Sequence, residues 1–233
     1  YQKIKSDYEA FSAQLDIGEL RYLPLSALKG DNVVNSSKNM SWYKGAPLMS
    51  MLENIQISSD RNLIDFRFPV QYVNRPNLDF RGYCGTVASG IIRKDDEVMV
   101  LPSRKTSRIA SIVTYDGELE EAFPPLAVTL TIEDEIDISR GDMLVHPSNL
   151  PYLSDRMDTM VVWMADAPME PRTQYLFKQG TKKSTGTLSN VRYKIDVNTL
   201  EQTETETLQL NEIGRCDINL SQRFAFDSYK GNR

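Results

Sequence analysis

Histidine and cysteine are scarce in this sequence of 233 residues, which contains one His and two Cys. A structural zinc site uses four such ligands at short spacings, and Cys84 and Cys216 are 132 positions apart by their numbering. Two cysteines also cannot form the disulfide framework of a small secreted protein. His146 is the one imidazole available to a Ser-His-Asp or Cys-His centre, and we interpret it as a loop histidine. We therefore predict no catalytic residue and no metal site.

Long apolar runs and basic blocks are also missing. No window approaches the roughly 18–20 continuous apolar residues of a membrane span, and residues 1–4 do not resemble a secretory signal. The chain has 27 Lys and Arg against 32 Asp and Glu, a net charge of −5, which disfavours binding to nucleic acid. We therefore expect a cytoplasmic protein with neither a membrane nor a nucleic acid partner. Because the first residue is Tyr1, we also expect a piece of a longer protein.

Residues 1–57 show the periodicity of helices around one short apolar run. Apolar residues recur at helical spacing at Ile4, Tyr8, Phe11 and Leu15. Residues 20–25 have the length and apolar character of a buried strand. A second helix is predicted from Pro47, because proline suits a first helical position. This order of elements predicts the end of an α/β domain.

From residue 58 onward the apolar period changes from 3.6 to 2. Phe66, Phe68, Val70 and Tyr72 alternate with polar residues, and Pro69 suggests an edge strand. Further strands, separated by turn residues, are predicted at 85–92, 97–101, 107–114, 127–132 and 143–145. This pattern favours an antiparallel barrel over residues 58–148. After a linker at 147–155, we predict a second β-rich unit over residues 149–233.

Phosphate-binding loops are absent: the pattern Gly-x-x-x-x-Gly-Lys-Ser/Thr does not occur. Gly82 and Gly85 lie in a strand-rich region, where glycine more often marks a bulge or a close backbone approach. The acidic groups at 118–121 and 133–135 are interpreted as solvated turns. Taken alone, this chain is not expected to hold a nucleoside triphosphate by its phosphates.

Two segments resemble known GTPases. Residues 23–33 contain Ser26, Ala27 and Leu28 in a loop between a predicted strand and a helix, and they resemble the last guanine-nucleotide motif of translation-factor-type GTPases. Residues 81–90 and 138–142 are similar to the first β-barrel of elongation factor Tu relatives. Residues 68–82 most specifically resemble the large, GTP-binding subunits of bacterial sulfate adenylyltransferases.

The resemblance implies a mainly β fold. It consists of two antiparallel β-barrels of the elongation-factor-Tu domain 2 and 3 type, the second of them incomplete. They are preceded by the α/β C-terminal remnant of a P-loop GTPase domain. In that family the large subunit pairs with a small catalytic subunit that makes adenosine 5′-phosphosulfate and pyrophosphate from ATP and sulfate, and GTP hydrolysis drives the reaction. GTP and Mg²⁺ are thus expected in the complete protein, and no cofactor or activity in this piece.

The resemblance also suggests site residues. Backbone N–H groups of Ser26, Ala27 and Leu28 would recognise the guanine O6. As the surface that couples the nucleotide domain to the partner we predict Arg75, Asn77, Asp79 and Arg81, although a solvated hairpin tip is an equally good interpretation. Asp95 stands where the family's first barrel usually has a glycine, so we expect that turn to use another conformation.

Two other functions remain open. The chain could belong to a translation-factor-type GTPase whose barrels bind aminoacyl-tRNA, although the net charge of −5 counts against this. It could also be an interaction module without activity. For the isolated piece we expect no measurable affinity for GTP. A few hydrogen bonds to the base, each contributing about 0.5–1.5 kcal/mol, fall short of the roughly 4 kcal/mol that millimolar binding requires.

Overall fold

The computed structural model describes residues 1–15, 17, 19–55, 61–77, 80–229 and 231–232. The chain divides into two compact units, Tyr1–Asp60 and Arg61–Arg233. Among the described residues, no helix combines the length and the apolar character that crossing a lipid bilayer requires.

The first unit contains two short helices. Helix α1 spans Gln2–Ser12, a 3-10 turn spans Lys38–Met40, and helix α2 spans Leu48–Asn54 directly after Pro47. The start of α2 is therefore confirmed, with Pro47 in the N-cap position. The apolar face of α1 is open, since Ile4 is 74% exposed.

The prediction of a strand at residues 20–25 is wrong, because this segment belongs to no strand. Leu20 and Leu25 are both exposed. An apolar run becomes a strand only where a neighbouring strand satisfies its backbone groups, and the structure pairs these residues with none.

The second unit is built from β-strands. In chain order they are β1 Arg67–Asn74, β2 Gly82–Thr86, β3 Ile92–Arg93, β4 Glu97–Leu101, β5 Lys105–Thr114, β6 Gly117–Leu119, β7 Glu121–Ala122, β8 Ala127–Ile132, β9 Met143–Val145, β10 Tyr152–Val162, β11 Gln174–Gln179, β12 Lys182–Ile195, β13 Gln202–Thr203 and β14 Ile213–Phe226. The predictions at 97–101, 127–132 and 143–145 are confirmed to the residue. The strand predicted at 85–92 is instead divided between β2 and β3.

The first sheet has the antiparallel order β4-β9-β1-β2-β8-β5-β6, and β4 also pairs with β5, so that six of its strands form a closed circuit. Strand β1 lies between β2 and β9, and the edge position suggested by Pro69 is therefore wrong. The core enclosed by this sheet includes Phe66, Phe68, Tyr83 and Leu130, all fully buried.

A bulge reverses the alternation of side chains within β1. The pairing register shifts between Val70 and Tyr72. A one-residue shift sends later side chains to the opposite face, and Tyr72 is consequently 61% exposed instead of buried. Arg67, which the alternation placed on the polar face, is only 3% exposed.

Asp95 also departs from expectation: with φ of 66° it adopts the left-handed conformation that glycine favours.

The second sheet has the order β10-β14-β12-β11, and β13 pairs with β12. Its core includes Met169, Leu188, Leu208, Cys216 and Phe224. Strand β10 begins inside the segment predicted as a linker, because residues 152–154 pair with residues 224–226.

A third apolar cluster lies where the two sheets meet. Leu101 and Val145 of the first sheet are buried with Ala225 of the second. The two sheets therefore share part of their core.

Candidate functional site

Residues 26–31 form a tight turn in the first unit. The backbone N–H of Ser26 donates to the Asp31 carbonyl, the N–H of Asp31 donates to the Ser26 carbonyl, and both distances are 3.1 Å. Gly30 has φ of 74°, a conformation that favours glycine. The Leu28 side chain is 96% exposed and packs against little. The backbone, not the side chains, thus defines the surface of this turn.

The turn leaves backbone donors available. The backbone N–H groups of Ala27, Leu28 and Lys29 have no acceptor in the part of the chain that the structure describes. Successive backbone N–H groups in a turn form a small concavity that receives an oxygen acceptor. The Ser26 N–H is already used by Asp31, so the predicted role of Ser26 reduces to closing the turn. Recognition of guanine by this turn stays a prediction.

Two residues that the sequence did not single out hold the turn in place. Asn32 is 2% exposed; its Nδ2 donates to the Pro24 carbonyl at 2.9 Å, and its Oδ1 accepts from the Ser37 N–H at 2.8 Å. Asp31 Oδ1 accepts from the Ser37 hydroxyl at 2.6 Å and from Asn39 Nδ2 at 3.0 Å. The sequence signal was available: short polar side chains after a glycine often bond to nearby backbone.

Three of the four predicted coupling residues, Arg75, Asn77 and Arg81, line one open groove of about 1090 Å³ in the second unit. Asp79 lies outside the described residues. The groove is also lined by residues of β2, β5 and β8 and of the segment after β8: Tyr83, Ser111, Val113, Thr131, Ile132, Glu133, Asp134 and Glu135. Arg75 and the three acidic residues are exposed, which agrees with the interpretation of 133–135 as solvated.

The groove wall is anchored at Arg81. Arg81 Nη1 donates to the Ile136 carbonyl at 3.1 Å, and the Tyr83 hydroxyl donates to the same oxygen at 3.2 Å. Burial raises the pKa of Tyr83, against the opposing effect of Arg81. The Phe80 N–H donates to Asn77 Oδ1 at 2.9 Å. The Arg81 bond ties the end of the predicted coupling loop to the segment after β8, and the Phe80 bond closes the loop on itself.

Gly82 allows an aromatic ring to lie against the strand. A Cβ atom at this position would be 2.5 Å from Thr129 Cγ2 and 2.8 Å from Phe80 Cε1, both closer than real contacts allow. The glycine therefore makes room for Phe80, whose side chain lines the groove. Phe80 and Tyr83 lie in the segments that carry the resemblance, but sequence reasoning did not single them out because neither carries a charge.

The single histidine and the two cysteines are the side chains that a catalytic centre would use. His146 has Nδ1 at 3.3 Å from the Glu97 carbonyl and Nε2 at 3.2 Å from the Ile91 carbonyl. Cys84 and Cys216 are free thiols. Burial, with Asp217 and Asp158, raises the pKa of Cys216 to about 11, which keeps it a thiol rather than the nucleophilic thiolate. Within the described ranges, no three His, Cys, Asp or Glu residues gather as metal ligands.

Sequence comparisons show extensive similarity to one group of proteins. Residues 156–233 match the family described as "GTP-eEF1A C-terminal domain-like". The whole chain is 54% identical to "Sulfate adenylyltransferase subunit 1" of Alteromonas mediterranea, covering 50% of that protein, and 52% identical to the protein of the same name from Bacteroides fragilis, covering 49%. It is 53% identical to "Bifunctional enzyme CysN/CysC" of Rhodopirellula baltica, covering 36% of it. The chain thus spans about half the length of the subunit 1 relatives.

Solved structures share the fold at low identity. A structure of sup35 complexed with GMPPNP matches the whole chain with a TM-score of 0.64 and 16% identity, over 59% of the sup35 chain. The apo form of translation elongation factor SelB from Methanococcus maripaludis matches 77% of the chain with a TM-score of 0.58 and 20% identity, over 39% of its own length. Both matches concern the fold alone, and the mainly β class is confirmed.

Proposed function

We propose that the chain belongs to the family of proteins named sulfate adenylyltransferase subunit 1, and that the complete polypeptide containing it is the regulatory GTPase subunit of that enzyme. The observation that carries this proposal is 54% identity over all 233 residues to a protein of that name. The matches to translation factors, at 16–20% identity, concern the fold alone. No observation favours binding of aminoacyl-tRNA.

In the proposed reaction, a small catalytic subunit joins ATP and sulfate into adenosine 5′-phosphosulfate and releases pyrophosphate. The regulatory subunit hydrolyses GTP to GDP and phosphate, and this favourable reaction drives the unfavourable one in sulfate assimilation. GTP and Mg²⁺ are the proposed cofactors of the complete, cytoplasmic protein. The phosphates and Mg²⁺ would be held by segments outside this chain, and this piece alone would be inactive.

The turn at residues 26–31 would read the guanine base. Backbone N–H groups of Ala27 and Leu28 would donate to the guanine O6, with Ser26 closing the turn. Adenine presents an amino group at the corresponding position, and two facing donors disfavour each other. The N–H groups left without an acceptor within the described chain support this role.

The coupling role belongs to Arg75, Asn77, Asp79 and Arg81 in this proposal. Residues 1–57 would form the end of the GTPase domain, and residues 58–148 and 149–233 two barrels, the second completed by chain beyond this piece. Ordering of switch loops by GTP would be sensed at the groove and relayed to the catalytic subunit. Support comes from the position of Arg75, Asn77 and Arg81 on one groove.

The test uses the complete polypeptide co-expressed with the small catalytic subunit. Release of pyrophosphate from ATP is measured with and without sulfate, and with GTP, GDP or no guanine nucleotide. We expect sulfate-dependent release that GTP stimulates and GDP does not. Sulfate-dependent release that is indifferent to GTP would contradict the regulatory role, and the absence of any such release would contradict the enzyme assignment.

A further inference from the structure

Asn32 is a buried polar residue placed directly behind the turn at residues 26–31. Only 2% of its surface is exposed, and its backbone has φ of 56°. Asparagine tolerates this left-handed conformation better than most residues, because its short side chain can bond to nearby backbone. Both ends of the Asn32 amide are hydrogen-bonded in this way.

The Asn32 side chain adds a second connection across the base of the turn. The first consists of the two backbone bonds between Ser26 and Asp31. The second is the bond from Asn32 Nδ2 to the Pro24 carbonyl, two residues before Ser26. Together they fix the segment entering the turn against the segment leaving it.

Further contacts of Asn32 join the turn to the chain that follows. Its Oδ1 accepts from the Ser37 N–H, and its backbone carbonyl accepts from the N–H of Leu48, the first residue of α2, at 2.9 Å. Ser37 is also held by Asp31 and caps the 3-10 turn by accepting from the Asn39 N–H at 3.0 Å. One residue thus ties together the entry of the turn, its exit and α2.

We propose that Asn32 is a positioning residue for guanine recognition, acting by holding the N–H groups of Ala27 and Leu28 in place for the guanine O6. This inference rests on the proposed function, because it requires that the turn read the base. A hydrogen bond weakens steeply when donor and acceptor lose alignment. Loss of the Asn32 bonds would therefore reduce the contribution of O6 more than that of the rest of the nucleotide.

The experiment separates base reading from general stability. Calorimetry on the complete polypeptide compares GDP with 6-thioguanosine diphosphate, in which sulfur, a weaker hydrogen-bond acceptor, replaces O6 while the N1–H is kept. In the wild type we expect GDP to bind on the order of tenfold more tightly, as for one or two weakened hydrogen bonds. In Asn32→Gly, which keeps the φ > 0 conformation but loses both side-chain bonds, we expect this ratio to fall towards one.

Two more variants complete the set. Asn32→Asp keeps an acceptor for the Ser37 N–H but loses the donor to Pro24, and we expect it to lower the ratio as well; it serves if Asn32→Gly does not fold. Asn35→Gly changes an exposed asparagine of the same loop and should leave the ratio unchanged.

The outcomes distinguish the two proposals. A wild type that binds GDP with preference for O6, together with an undiminished ratio in the folded Asn32 variants, would overturn this inference alone. An equal loss of affinity for both nucleotides would also overturn this inference alone, because such a loss indicates that Asn32 has a structural role only. A wild type that binds no GDP would overturn the proposed function and this inference with it.

Discussion

Arg67 and Asp227, 160 residues apart in sequence, form a largely buried ion pair with two parallel contacts, from Nε to Oδ2 at 2.8 Å and from Nη2 to Oδ1 at 2.9 Å. The Arg67 side chain is 4% exposed. Its remaining donors reach the Phe66 carbonyl and the carbonyl and Oδ1 of Asn149. Arg67 begins β1 of the first sheet, and Asp227 directly follows β14 of the second. The pair therefore connects the two sheets.

We predict that Asp227→Ala lowers the free energy of unfolding by about 3 kcal/mol, because it leaves a buried guanidinium without its counter-charge. Urea denaturation of the chain measures the change. The matched control is Asp158→Ala, which removes the shared partner of the exposed Arg215 and Arg192 and should cost clearly less. Equal losses in the two variants would show that burial does not distinguish the Arg67 pair.

The same pair predicts a dependence of stability on pH. Burial tends to raise the pKa of Asp227, but hydrogen bonds from Arg67 and Asn232 and the charge of Arg67 outweigh it, so that the pKa lies below its ordinary value of 3.8. A carboxyl group whose pKa is lower in the folded than in the unfolded state stabilises the fold at pH values above its unfolded-state pKa. This stabilisation is lost as the pH falls through the folded-state pKa. Between pH 5 and 2, the unfolding free energy should therefore fall less in Asp227→Asn than in the wild type. Parallel curves would exclude Asp227 as a source of the acid sensitivity.

We predict that Arg75→Ala and Asp79→Ala, in the complete polypeptide with its catalytic subunit, weaken the stimulation of sulfate activation by GTP on the order of fivefold, at the low end of typical coupling between sites. Arg75 is exposed, so its removal should leave the unfolding curve unchanged. Lys94→Ala, which removes an exposed cation from the turn after β3, is the control. Stimulation that survives intact in both variants would remove the coupling role from this loop.

We predict that Cys216 resists alkylation in the folded chain, while Cys84, which is partly exposed, reacts. A pKa of about 11 leaves Cys216 roughly one part in a thousand thiolate at pH 8, and the residue is fully buried. Mass spectrometry after timed treatment with iodoacetamide gives the two rates, and treatment in urea should equalise them. Rapid labelling of Cys216 without denaturant would mean that the second sheet opens readily.

Local patterns in the sequence were sufficient for several elements. The alternation and the flanking turn residues predicted β4, β8 and β9 with the observed bounds. Helix α2 followed from Pro47 and apolar spacing. The turn at residues 26–31 is equally local, since its closing pair and Gly30 lie within six residues. These features depend on residues close together in the chain, and the sequence displays them directly.

The sequence by itself determined the mainly β class, the family resemblance and the position of the turn at residues 26–31. Only the tertiary structure decided that Arg67 is buried and that Tyr72 is exposed. The burial of Arg67 depends on a carboxylate 160 residues away, and the exposure of Tyr72 depends on a bulge that forms against β2. Side-chain alternation specifies which residues share a face of a strand, but the pairing partners decide where that alternation breaks and which charge can be buried.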